Sequence, residues 1–246
     1  VSNISVQNFP DGVSLFTIER EARRNAICSR TAIELQKAFA EFDRSEQRVA
    51  VITGRGDKAF TAGADVDDVP ELWRCIPTAG IATEKPIIAA VGGWCVGGGV
   101  VLAAMCDLMV VAENAKFSYP EARLGLTHGM IATLAGRLPH KVAMEMILLG
   151  TAMDANRAYE VGFANRVVPV GQQVDAALDM ARELARSAPL VLKTLKRFVV
   201  NSVLPISPSE QMARARRDLE VVATSEDFQE GLAAWQEKRP PVFRGV

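Results

Sequence analysis

The sequence predicts an α/β fold with strands and helices alternating through the first half and a helical C-terminal region. Three observations carry this. Short runs of strand formers recur without polar alternation, at Val13–Ile18 (VSLFTI), 49–53 (VAVIT), 86–91 (PIIAAV) and 108–112 (LMVVA). Unbroken apolar runs of this kind fit parallel strands with both sheet faces covered. Helix-compatible stretches separate them, as βα units require. In the second half the strand signal gives way to helical spacing.

Each element has its own warrant. Pro10-Asp11-Gly12 is turn chemistry ahead of the first run. Ser29 is the expected cap of a helix that turns Ile33, Ala38, Phe39 and Phe42 inward. The run at 49–53 ends at Gly54-Arg55-Gly56. The run at 86–91 enters Gly92-Gly93, and Gly97-Gly98-Gly99 opens an apolar helix. Asp154 caps a short helix closed by Gly162. Val174, Ala177, Leu178, Ala181, Leu184 and Ala185 share a helix face. Pro189 suits the first turn of the next helix, which carries Leu190, Leu192, Leu195 and Val199. Two more helices are expected over 207–223 and 226–236. Alone, the C-terminal helices leave apolar faces open, so they are expected to pack on the core and on neighbouring subunits.

The bulk properties exclude several classes. A chain of 246 residues can bury a full core. Lys plus Arg number 28 against 29 Asp plus Glu, a balance that gives nucleic acid or an anionic membrane no general hold. Cys28, Cys75, Cys95 and Cys106 form no CxxC pair, and only His128 and His140 could join them as metal ligands. Neither a disulfide framework nor a metal site is expected. No apolar stretch of roughly 18 residues is free of charges and glycine clusters, so no membrane span is expected. The N-terminal VSNISVQNFPDG lacks the basic and apolar parts of a secretory signal. These features suggest a cytoplasmic protein.

Three segments carry chemistry. In KPIIAAVGGWCVGGGVVLAAMCD a buried strand leads into a glycine-rich helix start. Free N–H groups there can bind an anion or stabilise a developing oxyanion. The same glycines also suit a tight turn with close helix–strand packing. FTAGAD (60–65) is a second loop of small residues. FSYPEARLGLTHG (117–129) sets Glu121 after a proline among apolar residues, although a lone Glu also suits a solvated surface. Neither the dinucleotide fingerprint nor the phosphate loop is present, which argues against a nucleotide-binding oxidoreductase.

Taken in order, FTAGAD, KPIIAAVGGWCVGGG, MCDLMVVAENAKFSYPEARLGL, AMEMILLGTAMDANRAYEVGFANRVVP and EGLAAWQEKRPPVFRG resemble the enoyl-CoA hydratase/isomerase (crotonase) superfamily over nearly the whole chain. The resemblance implies a crotonase-like ββα spiral core at 1–187 and a helical trimerisation region at 188–246. It implies an acyl-CoA substrate, a homotrimer or hexamer, and no cofactor beyond the coenzyme A of the substrate. By motif position, the backbone N–H groups of Ala64 and Gly98 hold the thioester oxygen. Ala62, Asp65, Val66, Val101 and Gly129 fall at substrate-binding positions. Trp235 and Lys238 would reach coenzyme A across a subunit boundary, although core packing also suits Trp235 and a solvated helix-end cation suits Lys238. The stretch from Asp65 to Lys85 matches the substrate-covering region, where Leu72, Trp73 and Ile76 line the acyl pocket or simply pack.

The family's hydratases work with two glutamates. The second matches Glu121, but the first falls on Val101, which cannot transfer a proton. One carboxylate implies isomerase-type or atypical hydratase chemistry. His128 and Tyr119 are candidate helpers, although a surface or helix-capping role also suits the histidine and packing also suits the tyrosine. The alternative is a non-catalytic acyl-CoA-binding member of the family.

Overall fold

Alternating side-chain directions build the central layer. β1 (Ile4–Asn8) pairs antiparallel with β2 (Val13–Ile18), and α1 (Ser29–Arg44) leads to β3 (Val49–Gly54) and β4 (Ala59–Thr61). These positions come from a computed structural model, which describes residues 2–127 and 129–246. Next come β5 (Ile87–Val91), β6 (Trp94–Val96), α2 (Gly98–Ala104), β7 (Leu108–Ala112), β8 (Lys116–Ser118) and α3 (Glu121–Leu124). α4 (His140–Met144), β9 (Met153–Asp154), α5 (Ala155–Glu160), β10 (Arg166–Val168) and α6 (Gln173–Ala185) complete the core. α7 (Pro189–Phe198), α8 (Pro208–Ala223) and α9 (Glu226–Glu237) close the chain.

The strands divide between two sheets. A six-stranded sheet has the order β1-β2-β3-β5-β7-β10, and a four-stranded sheet the order β4-β6-β8-β9. The pairs β3 and β4, β5 and β6, β7 and β8 each place one strand in the large sheet and the next in the small one. Within each sheet these strands run parallel to one another. Such stepping is the ββα spiral that the resemblance implies.

Both faces of the large sheet are buried along β2, β3, β5 and β7, as the apolar runs predict, while the edge strand β1 is largely exposed. Val49, Val51, Ile88, Ala90 and Val110 meet Ala177, Leu178 and Ala181 of α6 on one face. Ile52, Ala89 and Val111 join Phe16, Leu35 and Phe39 on the other. Phe16 stacks on Phe39 with ring centroids 4.1 Å apart.

Two local expectations are corrected. Ser29 is the first residue of α1 rather than its cap, and Cys28, at the cap, makes no side-chain capping bond. Asp68 performs that task from outside the helix: it accepts from Ser29 N at 3.2 Å and from Ser29 Oγ at 2.6 Å. The inward stripe of α1 is Thr31, Ala32, Leu35, Phe39 and Phe42, while Ile33 is exposed. Asp154 does cap α5, accepting from Arg157 N, and Ser207 caps α8, accepting from Glu210 N.

The C-terminal helices keep their apolar faces open. Leu190, Leu195 and Phe198 of α7 are exposed, as are Leu219 and Val222 of α8 and Trp235 of α9. Among the described residues, no helix is long and apolar enough to cross a membrane.

Candidate active site

The site forms where the second and third turns of the spiral meet. β5 carries the chain into β6, and α2 starts at Gly98, with Val100 N–H donating to Gly97 O at 3.0 Å across its first turn. β4 delivers the small-residue loop beside it. Gly63 has φ +85, and a β-carbon there would lie 2.6 Å from Val96 O and 3.4 Å from Gly98 N. The two loops therefore touch through backbone. Ile27 fixes the outer edge of the Ala64 loop: its N–H donates to Gly63 O at 2.8 Å, and its carbonyl accepts from Asp65 N at 2.8 Å. Among the described residues, the N–H groups of Ala64 and Gly98 make no hydrogen bond.

Gly98 opens onto a cavity of about 270 Å³. Its inner wall carries Val101, Tyr119 and Glu121, and Leu72, Trp73 and Ile76 cover it. Glu121 begins α3 and is 9% exposed, and its Oε2 is buried without a hydrogen-bond partner. Burial pushes its carboxyl up from 4.5 to about 7, opposed by a backbone hydrogen bond. An unpartnered carboxyl that titrates near neutrality can both take and return a proton. Val101 faces the same cavity and is 4% exposed.

The opposite wall comes from α8, whose Ser209, Met212, Ala213 and Arg216 line the cavity at helical spacing. This contribution was missed in the sequence. The helix and its face were legible, but not where that face would dock. Hydrogen bonds and ion pairs pin the covering segment to α8. Thr78 Oγ1 donates to Glu210 Oε1 at 2.7 Å, Arg217 donates to Ala79 O at 2.7 Å, and Arg74 pairs with Glu220 at 2.7 Å. Glu71, Met130 and Ile131 also line the space.

The remaining expected residues lie further out. Ala62 sits in the β4 loop, and its N–H donates to Arg24 O at 2.9 Å. Asp65 is buried, but its carboxylate is committed to Arg20 at 2.9 Å and Arg23 at 3.0 Å. Hydrogen bonding from Arg20 leads in holding its pKa below the usual range, against burial. Asp65 therefore braces the loop through its side chain. Val66 is 78% exposed and is not part of the cavity lining. Gly129 stands at the start of the 3-10 turn that carries Met130 and Ile131. Trp235 is 84% exposed on α9, and Lys238 closes that helix with φ 55; within one chain neither reaches the cavity. Tyr119 lines the cavity, whereas His128 lies outside the described residues. Among the described residues, no group of three or more His, Cys, Asp or Glu could hold a metal ion.

Known proteins share the sequence and the fold of this chain. The profile of the Enoyl-CoA hydratase/isomerase family matches residues 8–246. A carnitinyl-CoA dehydratase from Citrobacter koseri is 38% identical over 245 residues, covering 93% of this chain and 94% of that protein. One from Salmonella enteritidis is 37% identical over the same shares. Among solved structures, a carnitinyl-CoA hydratase from Mycobacterium avium superposes with a TM-score of 0.77 at 34% identity, covering 100% of both chains. An enoyl-CoA hydratase from Mycobacterium tuberculosis H37Rv gives a TM-score of 0.76 at 31% identity, again covering 100% of both chains.

Proposed function

The chain belongs to the enoyl-CoA hydratase/isomerase family, and from that premise we propose that it is an enzyme acting on an acyl-CoA thioester through an oxyanion-stabilised enolate, with Glu121 as its single acid/base glutamate. One observation carries the reading: the unpartnered, buried carboxyl of Glu121 shares a cavity with the free N-terminal end of α2. Glu121 takes a proton from the α-carbon. The electron pair moves onto the thioester oxygen, which the N–H groups of Ala64 and Gly98 hold. Donors fixed in advance stabilise that charge without reorganising. Returning the proton at another carbon shifts a double bond; losing a β-substituent instead gives an elimination. The reaction needs no metal or cofactor beyond the coenzyme A of the substrate, because it consists of proton transfers and electron-pair shifts within the substrate.

Loss of the second carboxylate at Val101 supports isomerase-type or atypical hydratase chemistry over the two-glutamate kind. The relatives are named for dehydration and hydration of carnitinyl-CoA; the acyl group taken here is a separate question. For assembly, a homotrimer or hexamer accounts for the open apolar faces of α7, α8 and α9. In such an assembly Trp235 and Lys238 would meet coenzyme A bound to a neighbour.

The decisive experiment is deuterium incorporation from heavy water at the α-carbon of an acyl-CoA, read by mass spectrometry. The unmodified protein should exchange that hydrogen. Glu121→Gln should bind the thioester and exchange about 10²–10⁴-fold more slowly, the usual worth of a general base. Binding without any exchange in the unmodified protein would establish the non-catalytic alternative.

A further inference from the structure

A proton at the α-carbon is half of an elimination. The other half is an oxygen on the β-carbon, and something in the cavity must hold it. Val101 cannot. Glu71 is engaged elsewhere: it accepts from Trp73 Nε1 at 3.3 Å and from Arg74 Nε at 2.9 Å, and Arg216 lies 3.6 Å away. Ser209 stands on the α8 wall with its hydroxyl against Gly129.

Tyr119 is placed differently. It follows β8, two residues before Glu121, and lines the same cavity while only 5% exposed. Its Oη lies 3.0 Å from Thr127 Oγ1, and Thr127 Oγ1 also accepts from Gly129 N at 3.2 Å. If Thr127 gives its proton to Tyr119 Oη, the phenolic O–H is left to donate into the cavity. If Tyr119 donates to Thr127, a lone pair of Oη is left instead. A hydroxyl or a water molecule satisfies either arrangement, since it both donates and accepts. A hydrocarbon satisfies neither. Burial pushes the Tyr119 phenol upward, with the Thr127 hydrogen bond opposing, so it stays neutral and acts as a hydrogen-bond partner rather than a base.

We propose that Tyr119 Oη holds the oxygen attached to the β-carbon, a hydroxyl in the dehydration direction and the attacking water in the reverse, and so selects substrates that carry one. This rests on the enolate reading given above. The step balances with one glutamate. The Glu121 carboxylate removes the α-proton, and the C–H electron pair forms the enolate. The enolate then collapses to a carbon–carbon double bond as the β-carbon–oxygen bond breaks. The departing hydroxyl, steadied by Tyr119 Oη, takes the proton back from Glu121 and leaves as water. Tyr119 ends as it began.

The test is Tyr119→Phe, read two ways on one preparation. The first readout is α-hydrogen exchange on butyryl-CoA, which has no β-oxygen. The second is dehydration of 3-hydroxybutyryl-CoA. The expected result is dehydration slowed about tenfold to a hundredfold more than exchange, the effect of losing one hydrogen bond in a desolvated site. Thr127→Val should slow dehydration in the same direction by a smaller factor, because it frees Oη without removing it. Dehydration unchanged in Tyr119→Phe, with exchange intact, would overturn the proposal. So would an equal fall in both readouts, which would mark a packing role, and so would exchange without measurable dehydration in the unmodified protein. An unmodified protein that binds butyryl-CoA but exchanges nothing would remove the enolate reading, and this proposal with it.

Discussion

Glu121 Oε1 lies 2.6 Å from the point where a β-carbon on Gly97 would stand. The carboxyl rests against bare backbone, and Gly97 has φ 57, a region that L side chains rarely adopt. Gly97→Ala therefore meets two obstacles, a strained backbone and a displaced carboxyl. The carboxyl can swing aside, so the larger loss should fall on turnover. We expect at least a tenfold fall in α-hydrogen exchange, with about 1–3 kcal/mol lost in stability. Exchange within twofold of the unmodified protein, measured beside a denaturant melt, would show that Glu121 does not work from this position.

The Glu121 carboxyl, raised to about 7, sets a pH dependence of both rate and stability. Proton abstraction requires the carboxylate, so exchange should climb as pH rises through about 7 and then level. Stability runs the other way. Between the ordinary 4.5 and about 7 the folded protein holds a proton that the unfolded chain has released. This group therefore makes the fold less stable as pH rises through that window. Urea melts at about pH 5 and about pH 8 should differ less in Glu121→Gln than in the unmodified protein. Identical differences would argue that the carboxyl titrates at its ordinary value.

Val101 is where a second carboxylate can be restored. Hydration of crotonyl-CoA by the unmodified protein should be slow beside its α-hydrogen exchange. Val101→Glu should raise hydration, because one carboxylate can then activate water while the other protonates carbon. The change buries a polar group, at about 1–3 kcal/mol, and pushes the pKa of one carboxyl up. Rapid hydration before the substitution, followed by no gain after it, would show that the site has no need of a second carboxylate.

Trp235 bears on the contact across subunits. Its 84% exposure within one chain means that Trp235→Ala should leave the melting temperature of the isolated fold unchanged. Coenzyme A affinity should nevertheless drop about tenfold, as expected when a buried aromatic contact is lost. Calorimetry showing equal affinity would remove α9 from the binding site.

The open face of α7 makes the assembly prediction direct. Sedimentation equilibrium at micromolar concentration should show a trimer or hexamer. Phe198 and Leu195 are both exposed on α7. Phe198→Asp should shift the equilibrium toward smaller species by setting a charge in an apolar interface. A monomeric unmodified protein would end the trimer reading.

The sequence revealed long elements better than short ones. The strand at Val13–Ile18 and the helix at Gln173–Ala185 repeat their pattern enough times to be read. β9 spans two residues, and β4, β6, β8 and β10 span three each, too few for any periodicity to emerge. They are strands because their neighbours supply hydrogen bonds. Glu121 and Gly98 were legible because their motifs are local. The partnership of Asp68 with Ser29 was not, since nothing near Ser29 announces a carboxylate 39 residues away. The α8 wall was hidden for the same reason: Arg74 and Glu220 are 146 positions apart.

That separation governs when the cavity comes into being. A chain leaving the ribosome presents Glu121 and the Gly98 loop long before α8 is synthesised. Until then Leu72, Met130 and Ile131 have no wall to face, and the segment around Arg74 has nothing to grip. The unfinished chain offers an open apolar trough, the kind of surface that chaperones recognise and that aggregation exploits. The cavity lacks its last wall until Glu220 can pair with Arg74.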